Sequence, residues 1–183
     1  MTRLLVPISQ RDHIKGPASA SLSLVQYGDL QCPHCALVYP VIEEISQELS
    51  DSLQVVFRHF PLAQMHPRAQ EAAEALEAAG AQGKFWELLD LLYLNNEQLD
   101  FDGLCRFAKK VRLDLKRFTR ELETRVHKDR VRADFLSGVR SGVAGTPTLF
   151  INGEKYTGGY DFDAIVAALL TASRKEAPST SSR

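Results

Sequence analysis

The chain has 183 residues, a formal net charge of −1 and a 44% hydrophobic fraction, which suits one domain with a sizeable core. Near-neutral charge without a basic stripe interleaved with aromatics excludes nucleic acid as a partner. No apolar run approaches the roughly 18–20 residues of a membrane span, and the stretch Leu4–Val6 before Pro7 is shorter than a signal-peptide core of about 7–15 residues, so the sequence predicts a cytoplasmic protein that does not engage a membrane.

Residues 1–20, with Pro7, Gly16 and Pro17, predict an extended N-terminal arm. "SLSLVQYG" (21–28) alternates as a strand, with Leu22, Leu24 and Gln26 on one face and Val25 and Tyr27 on the other. A helix begins at "CPHC", with Pro33 in its first turn, where a missing N–H costs nothing. Leu37, Val41, Ile45 and Leu49 form its expected apolar stripe, and Pro40 is expected to kink it. "LQVVFRHF" (53–60) is a second strand, stopped by Pro61. Residues 67–141 read as several short helices punctuated by Gly, Asn and Asp, and they predict a helical insertion. "TPTLFING" (146–153) returns to strand character, and Asn152-Gly153 predicts a hairpin. "DFDAIVAALL" is a final helix with Asp161 as its cap, and the polar tail 174–183 reads as disordered. A helix between the first two strands implies a right-handed crossover and a parallel pair. The class is α/β.

The chain holds three cysteines, too few for a secreted disulfide scaffold. Cys105, on a helical apolar face, reads as an ordinary buried thiol. Cys32 and Cys35 are different. Cys32 stands where a strand passes into a helix, and the unpaired N–H groups and partial positive charge of a helix start favour a thiolate. These lower its pKa from about 8.5 toward neutrality or below. Cys35 follows one turn later on the same face, a spacing compatible with the disulfide Cα separation of about 5.5 Å. Cys35 can then attack a mixed disulfide formed at Cys32. A protonated His34 adds favourable charge beside Cys32, stabilises the reduced form and makes the disulfide a stronger oxidant. Pro33 stiffens the turn. Structural zinc needs four ligands, but no second CxxC or HxxxH occurs and the five histidines are scattered. Haem attachment needs histidine where Ala36 stands. A structural disulfide closing so short a loop removes little chain entropy. No cofactor and no metal are predicted.

"YGDLQCPHCALVYP", "FRHFPL", "HPRAQEAAEALEAAGAQGKFWELLDLLY" and "SGVAGTPTLFINGEKYTGGY" together resemble the DsbA-like thioredoxin-fold family, and within it bacterial proteins of the thioredoxin-4 (FrnE-like) type. The resemblance covers about residues 16–172. It implies a thioredoxin core of residues 21–66 and 142–173 with an inserted helical domain at 67–141. It implies a thiol–disulfide oxidoreductase in which Cys32 attacks, Cys35 resolves and Pro147 is a cis-proline. Thr146, Pro147 and Pro33 would then meet the substrate, with the backbone of Thr146 pairing with an extended segment. The expected substrates are thiol- or disulfide-bearing proteins, or a small-molecule thiol. "VQYGD" departs from the "VEYGD" of many relatives: Gln26 hydrogen-bonds but cannot ionise to take a proton from the resolving thiol. The alternative is a thioredoxin-fold regulatory or binding module with little catalytic activity, attached in relatives to a membrane transporter. A related glutathione-dependent isomerase or transferase usually has serine at the attacking position, which Cys32 disfavours.

Overall fold

The computed structural model describes residues 2–176. It is a mixed α/β thioredoxin-like fold in which seven helices surround a five-stranded sheet of order β1-β3-β2-β4-β5. The strands are β1 (His13–Lys15), β2 (Leu22–Gly28), β3 (Leu53–His59), β4 (Thr148–Ile151) and β5 (Glu154–Lys155). The pair β2–β3 is parallel, with Gln26 beside Phe57 and Gly28 beside His59. β4 runs antiparallel to β2. The hairpin from β4 to β5 turns at Asn152 and Gly153, with φ of 44° and 77°, the left-handed pair that an Asn-Gly turn supplies at least cost.

Helix α1 (Pro33–Glu48) crosses between β2 and β3. Between β3 and β4 stand α2 (Ala69–Gly80), α3 (Phe85–Leu94), α4 (Phe101–Lys110), α5 (Leu115–Glu123) and α6 (Lys128–Arg140), and α7 (Phe162–Glu176) follows the hairpin. Asp100 and Asp114 start α4 and α5 by accepting the N–H groups of Gly103 and Arg117 at 2.8 and 3.1 Å, each such cap being worth about 1 kcal/mol. The strand pleat sorts the core. Leu22 and Leu24 join Val38, Ile42 and Ile45 of α1 and Ile165 and Leu169 of α7 on one face. Val25, Tyr27, Val56 and Phe150 join Phe60, Phe135 and Val143 on the other. Each such fully buried Leu, Ile or Phe contributes about 1.5–3 kcal/mol.

Three expectations are corrected. The arm of residues 1–20 is not merely extended: His13–Lys15 pairs antiparallel with β3 at one sheet edge, and Arg3 bridges to Glu154 at the other. Leu4 N–H donates to Gly153 O at 2.8 Å, and Thr2 O accepts Lys155 N–H at 3.0 Å. The arm thus straps the face that α6 also covers, with Leu4, Ile8 and Ile14 packed inward. On α1 the apolar stripe is rotated from the expected one: Leu37 is 72% exposed while Val38, Tyr39, Ile42 and Ile45 are buried. The sheet below and α3 alongside select that phase. The helix runs through Pro40, which lies on its exposed side. Residues 174–176, expected in the tail, belong to α7, which continues to Glu176; the rest of the expected tail, residues 177–183, lies outside the described residues.

Candidate active site

Cys32 is the N-cap of α1, with extended backbone (φ −72°, ψ 120°), and Pro33 opens the helix proper. The strand end fixes this start: Cys32 N–H donates to Asp29 O at 3.1 Å. An N-cap side chain faces the free N–H groups of the second and third helical residues, here His34 and Cys35. The Cys32 thiol makes no capping hydrogen bond, but a thiolate is the better acceptor for those donors. The Cys32 pKa is accordingly brought down to about 5. Hydrogen bonding from the Cys35 side chain is the largest cause; burial opposes it, and Thr146 and the N–H groups of Cys35 and His34 add to it. Cys35 is fully buried and its thiol is pushed far above the ordinary range, chiefly by burial and then by its hydrogen bond to Cys32. The two sulfurs are free thiols with opposite tendencies, one ionised at neutral pH and one held protonated.

The loop before β4 closes over them. The Thr146–Pro147 peptide is cis. In its thiol form Cys32 Sγ donates to Thr146 O at 3.4 Å, and the Thr146 hydroxyl has no well-aligned hydrogen bond to either sulfur. Tyr160 Oη donates to Pro147 O at 2.9 Å, and Thr148 Oγ1 donates to Gly145 O at 2.7 Å, which pins the loop from both sides. Cys32, Cys35 and Thr146 therefore meet, with Pro147 buried behind them. Pro33 and His34 are exposed at the helix start. Residue 34 acts on Cys32 through its backbone N–H. Cys105, half-buried on α4, is elsewhere in the helical block.

Two supports lie in the quoted motifs without a role read from them. Asp29, fully buried, accepts Gln31 N–H at 2.8 Å on Oδ1, and Leu62 N–H and His66 Nδ1 at 2.8 Å each on Oδ2. It ties the end of β2 to the loop after β3. Gln31 extends this tie by accepting Arg68 N–H at 2.7 Å. Tyr93, the last residue of one quoted stretch, buries its hydroxyl in the cluster that contains both cysteines. The available signal was residue type: a tyrosine among leucines on a core face carries a polar atom that needs a reason. Gln26 is 1% exposed and its Nε2 has no partner among the described residues.

One group of metal-type donors exists among the described residues: His59, Glu77 and Asp134. Its charge is met from within. Arg130 hydrogen-bonds Asp134 and comes within 3.9 Å of Glu77, and His13 and His59 both place Nε2 2.9 Å from Glu77 Oε1. A divalent cation would have to displace these partners, so the donor set does not fit one.

The thioredoxin family model Thioredoxin_4 matches residues 9–170. The chain is 41% identical over 170 residues to the Na(+)/H(+) antiporter NhaA 3 of Salinispora tropica, covering 92% of this chain and 26% of that protein. It is 39% identical over 172 residues to an NhaA 1 antiporter of Mycolicibacterium gilvum, covering 91% and 28%. The chain thus spans about a quarter of the length of these curated relatives. In three dimensions it resembles a thioredoxin-like oxidoreductase from Silicibacter pomeroyi (TM-score 0.81, 20% identity, 92% of this chain and 95% of that one). It also resembles oxidised BdbD from Bacillus subtilis (TM-score 0.79, 18% identity, 90% and 94%). These likenesses fix the fold, and with the sequence match they place the chain in the Thioredoxin_4 family of thioredoxin-like proteins.

Proposed function

We propose that the chain is a thiol–disulfide oxidoreductase in which Cys32 attacks and Cys35 resolves. The observation that carries this is the pairing of an N-cap sulfur with a pKa of about 5 and a buried partner thiol one turn away. Cys32 is the nucleophile at neutral pH; Cys35, held protonated, waits until a mixed disulfide removes the charge beside it. Protein thiols or disulfides are the substrates best matched to the surface. Pro33 and His34 are exposed beside Cys32, and an extended segment can lie along the Thr146 backbone. A groove of about 720 Å³ between Arg3, the β4–β5 hairpin and α7 is lined by none of these residues, and Cys32 itself is only 5% exposed, so the exposed Pro33 and His34 are the surface a substrate would meet first.

The test is trapping. Cys35→Ser should accumulate mixed disulfides at Cys32, and Cys32→Ser should accumulate none and lose turnover in insulin-reduction and dithiol-oxidation assays. Label appearing instead on Cys105 would reject the assignment.

A second reading is supported by the antiporter relatives, of which this chain matches about a quarter: a thioredoxin-fold regulatory or binding module. It predicts no multiple turnover in either assay, with intact Cys32 alkylation.

A further inference from the structure

Tyr93, on α3, is 5% exposed, and its hydroxyl has no hydrogen-bond partner among the described residues. Leaving a buried hydroxyl unpaired costs stability, and buried tyrosines usually find a partner. The ring is held in place by Tyr39 and Phe57, with centroids 4.8 and 6.4 Å away, in the same buried cluster as Cys32 and Cys35. The hydroxyl reaches the end of β2, where a Cβ on Gly28 would stand 2.7 Å from it. Glycine there leaves room for the phenol. The next residue, Asp29, hydrogen-bonds Cys35 through its backbone. On the same face of β2, one pleat back from Gly28, stands Gln26, which has no ionisable group to offer Cys35. Burial is the main cause that holds the proton on the Tyr93 phenol, and negative charge on Cys35, once that thiol ionises, adds to it. At neutral pH the group is a donor and not a base.

We propose that Tyr93 Oη–H is the hydrogen-bond donor that stabilises Cys35 as it becomes a thiolate in the resolving step. The inference rests on the reading of Cys35 as the resolving thiol. In that step Cys35 gives up its proton, its sulfur attacks the Cys32 sulfur of Cys32–S–S–R, and the Cys32–Cys35 bond forms as the bond from Cys32 to R–S breaks. The cysteine pair is oxidised and the R sulfur is reduced by the same two electrons. The proton lost by Cys35 ends on the departing thiolate or, when that thiol is acidic, on water. Tyr93 keeps its own proton throughout and shares it with the developing charge. Where a carboxylate at position 26 would have acted as an acceptor, Tyr93 acts instead as a neutral donor.

The test uses the reduced full chain in a Cys105→Ala background with 5,5′-dithiobis(2-nitrobenzoate) as the probe, followed by stopped-flow absorbance. Attack by Cys32 releases one nitrothiobenzoate, and resolution by Cys35 releases a second. Tyr93→Phe removes one oxygen that makes no bond in the resting protein, so its urea midpoint should be no lower than that of the parent. The first release should keep its rate. The second should slow by about tenfold, the scale of one hydrogen bond to a charged group, and its pH profile should move to higher pH, because losing a donor to the thiolate raises the Cys35 pKa. Equal rates for the second release in both proteins would overturn the proposal, as would equal slowing of both releases together with a lowered midpoint, which marks a packing role. If the parent itself releases only one equivalent, Cys35 does not resolve and the underlying functional reading fails with it.

Discussion

Two buried polar regions, one around Arg58 and one around the cysteines, are built on opposite plans. Around Arg58 every donor is used. Its guanidinium gives hydrogen bonds to Asp12 at 2.7 and 3.1 Å, to Val6 O, to Pro7 O and to Tyr27 Oη. Glu77 likewise accepts from His13 and His59. Around the cysteines, the hydroxyls of Tyr93 and Thr146 and the Nε2 of Gln26 go without hydrogen-bond partners among the described residues. The closed region is arranged for the resting protein, since an unpaired buried group there would only cost stability. The open region keeps hydrogen-bonding capacity in reserve for states the resting protein does not occupy: a charged sulfur, a mixed disulfide, a substrate strand. Unsatisfied polar atoms thus mark the reactive end more sharply than titratable residues do, because the titratable clusters are mostly in the other region.

The comparison breaks most visibly at Arg58. Arg58 and Asp12 are 2% and 5% exposed, so Arg58→Met leaves a buried carboxylate without its cation. That should cost about 3–5 kcal/mol, read as a lowered urea midpoint, while the folded fraction alkylates at Cys32 as fast as the parent. A loss of Cys32 reactivity in step with stability would mean that the two regions are one unit.

The next effect is on pH. With a pKa of about 5, Cys32 should alkylate with iodoacetamide along a curve half-risen near pH 5. At pH 6 it should hold on the order of a hundredfold more thiolate than a cysteine of pKa about 8.5. The sign for stability follows from the depressed folded-state pKa. The stabilisation that the thiolate lends the reduced protein is complete above the unfolded pKa, falls as pH drops between the two values, and is gone below about 5. Denaturation of the reduced form across that window, against Cys32→Ser, checks it; parallel curves would remove the thiolate from the account.

The smallest effect is at His34. The imidazole is exposed, and the helix acts on Cys32 through the His34 N–H, which His34→Ala retains. The substitution should make the pair less oxidising, by no more than about 30 mV, equivalent to roughly 1.4 kcal/mol for a two-electron couple. Equilibration with glutathione reads this directly, and a more oxidising pair would reverse the sign assigned to the side chain.

How far the sequence reveals all this depends on range. The strand passing into a proline-started helix at Cys32, the Asn-Gly hairpin and the parallel β2–β3 pair are local patterns, and each is present. The strand β1 is three residues long with no alternation to detect, and only its pairing with β3 defines it. The phase of α1 was misjudged at Leu37 because the four-residue spacing admits two stripes, and the sheet, not the helix, selects between them. The Arg58 and Glu77 networks join residues 46 and 64 positions apart, and no spacing rule connects them. At the site, the two cysteines and "TPT" carry their chemistry in their spacing, whereas Tyr93 ends a quoted helical stretch on another helix, where nothing local points to the cysteines.

The strap formed by the arm has a consequence for how this protein behaves among other copies of itself. A sheet edge offers a row of unpaired N–H and C=O groups on which a neighbouring chain can add a strand. Here β3 and β5 would be those edges, and His13–Lys15 lies on the first while Thr2–Leu4 lies along the second. One short segment, anchored midway by Arg58, therefore caps both ends of the sheet at once. Proteolytic nicking between Ser9 and Asp12 would uncouple the two caps, leaving each held at its own edge by its own few hydrogen bonds.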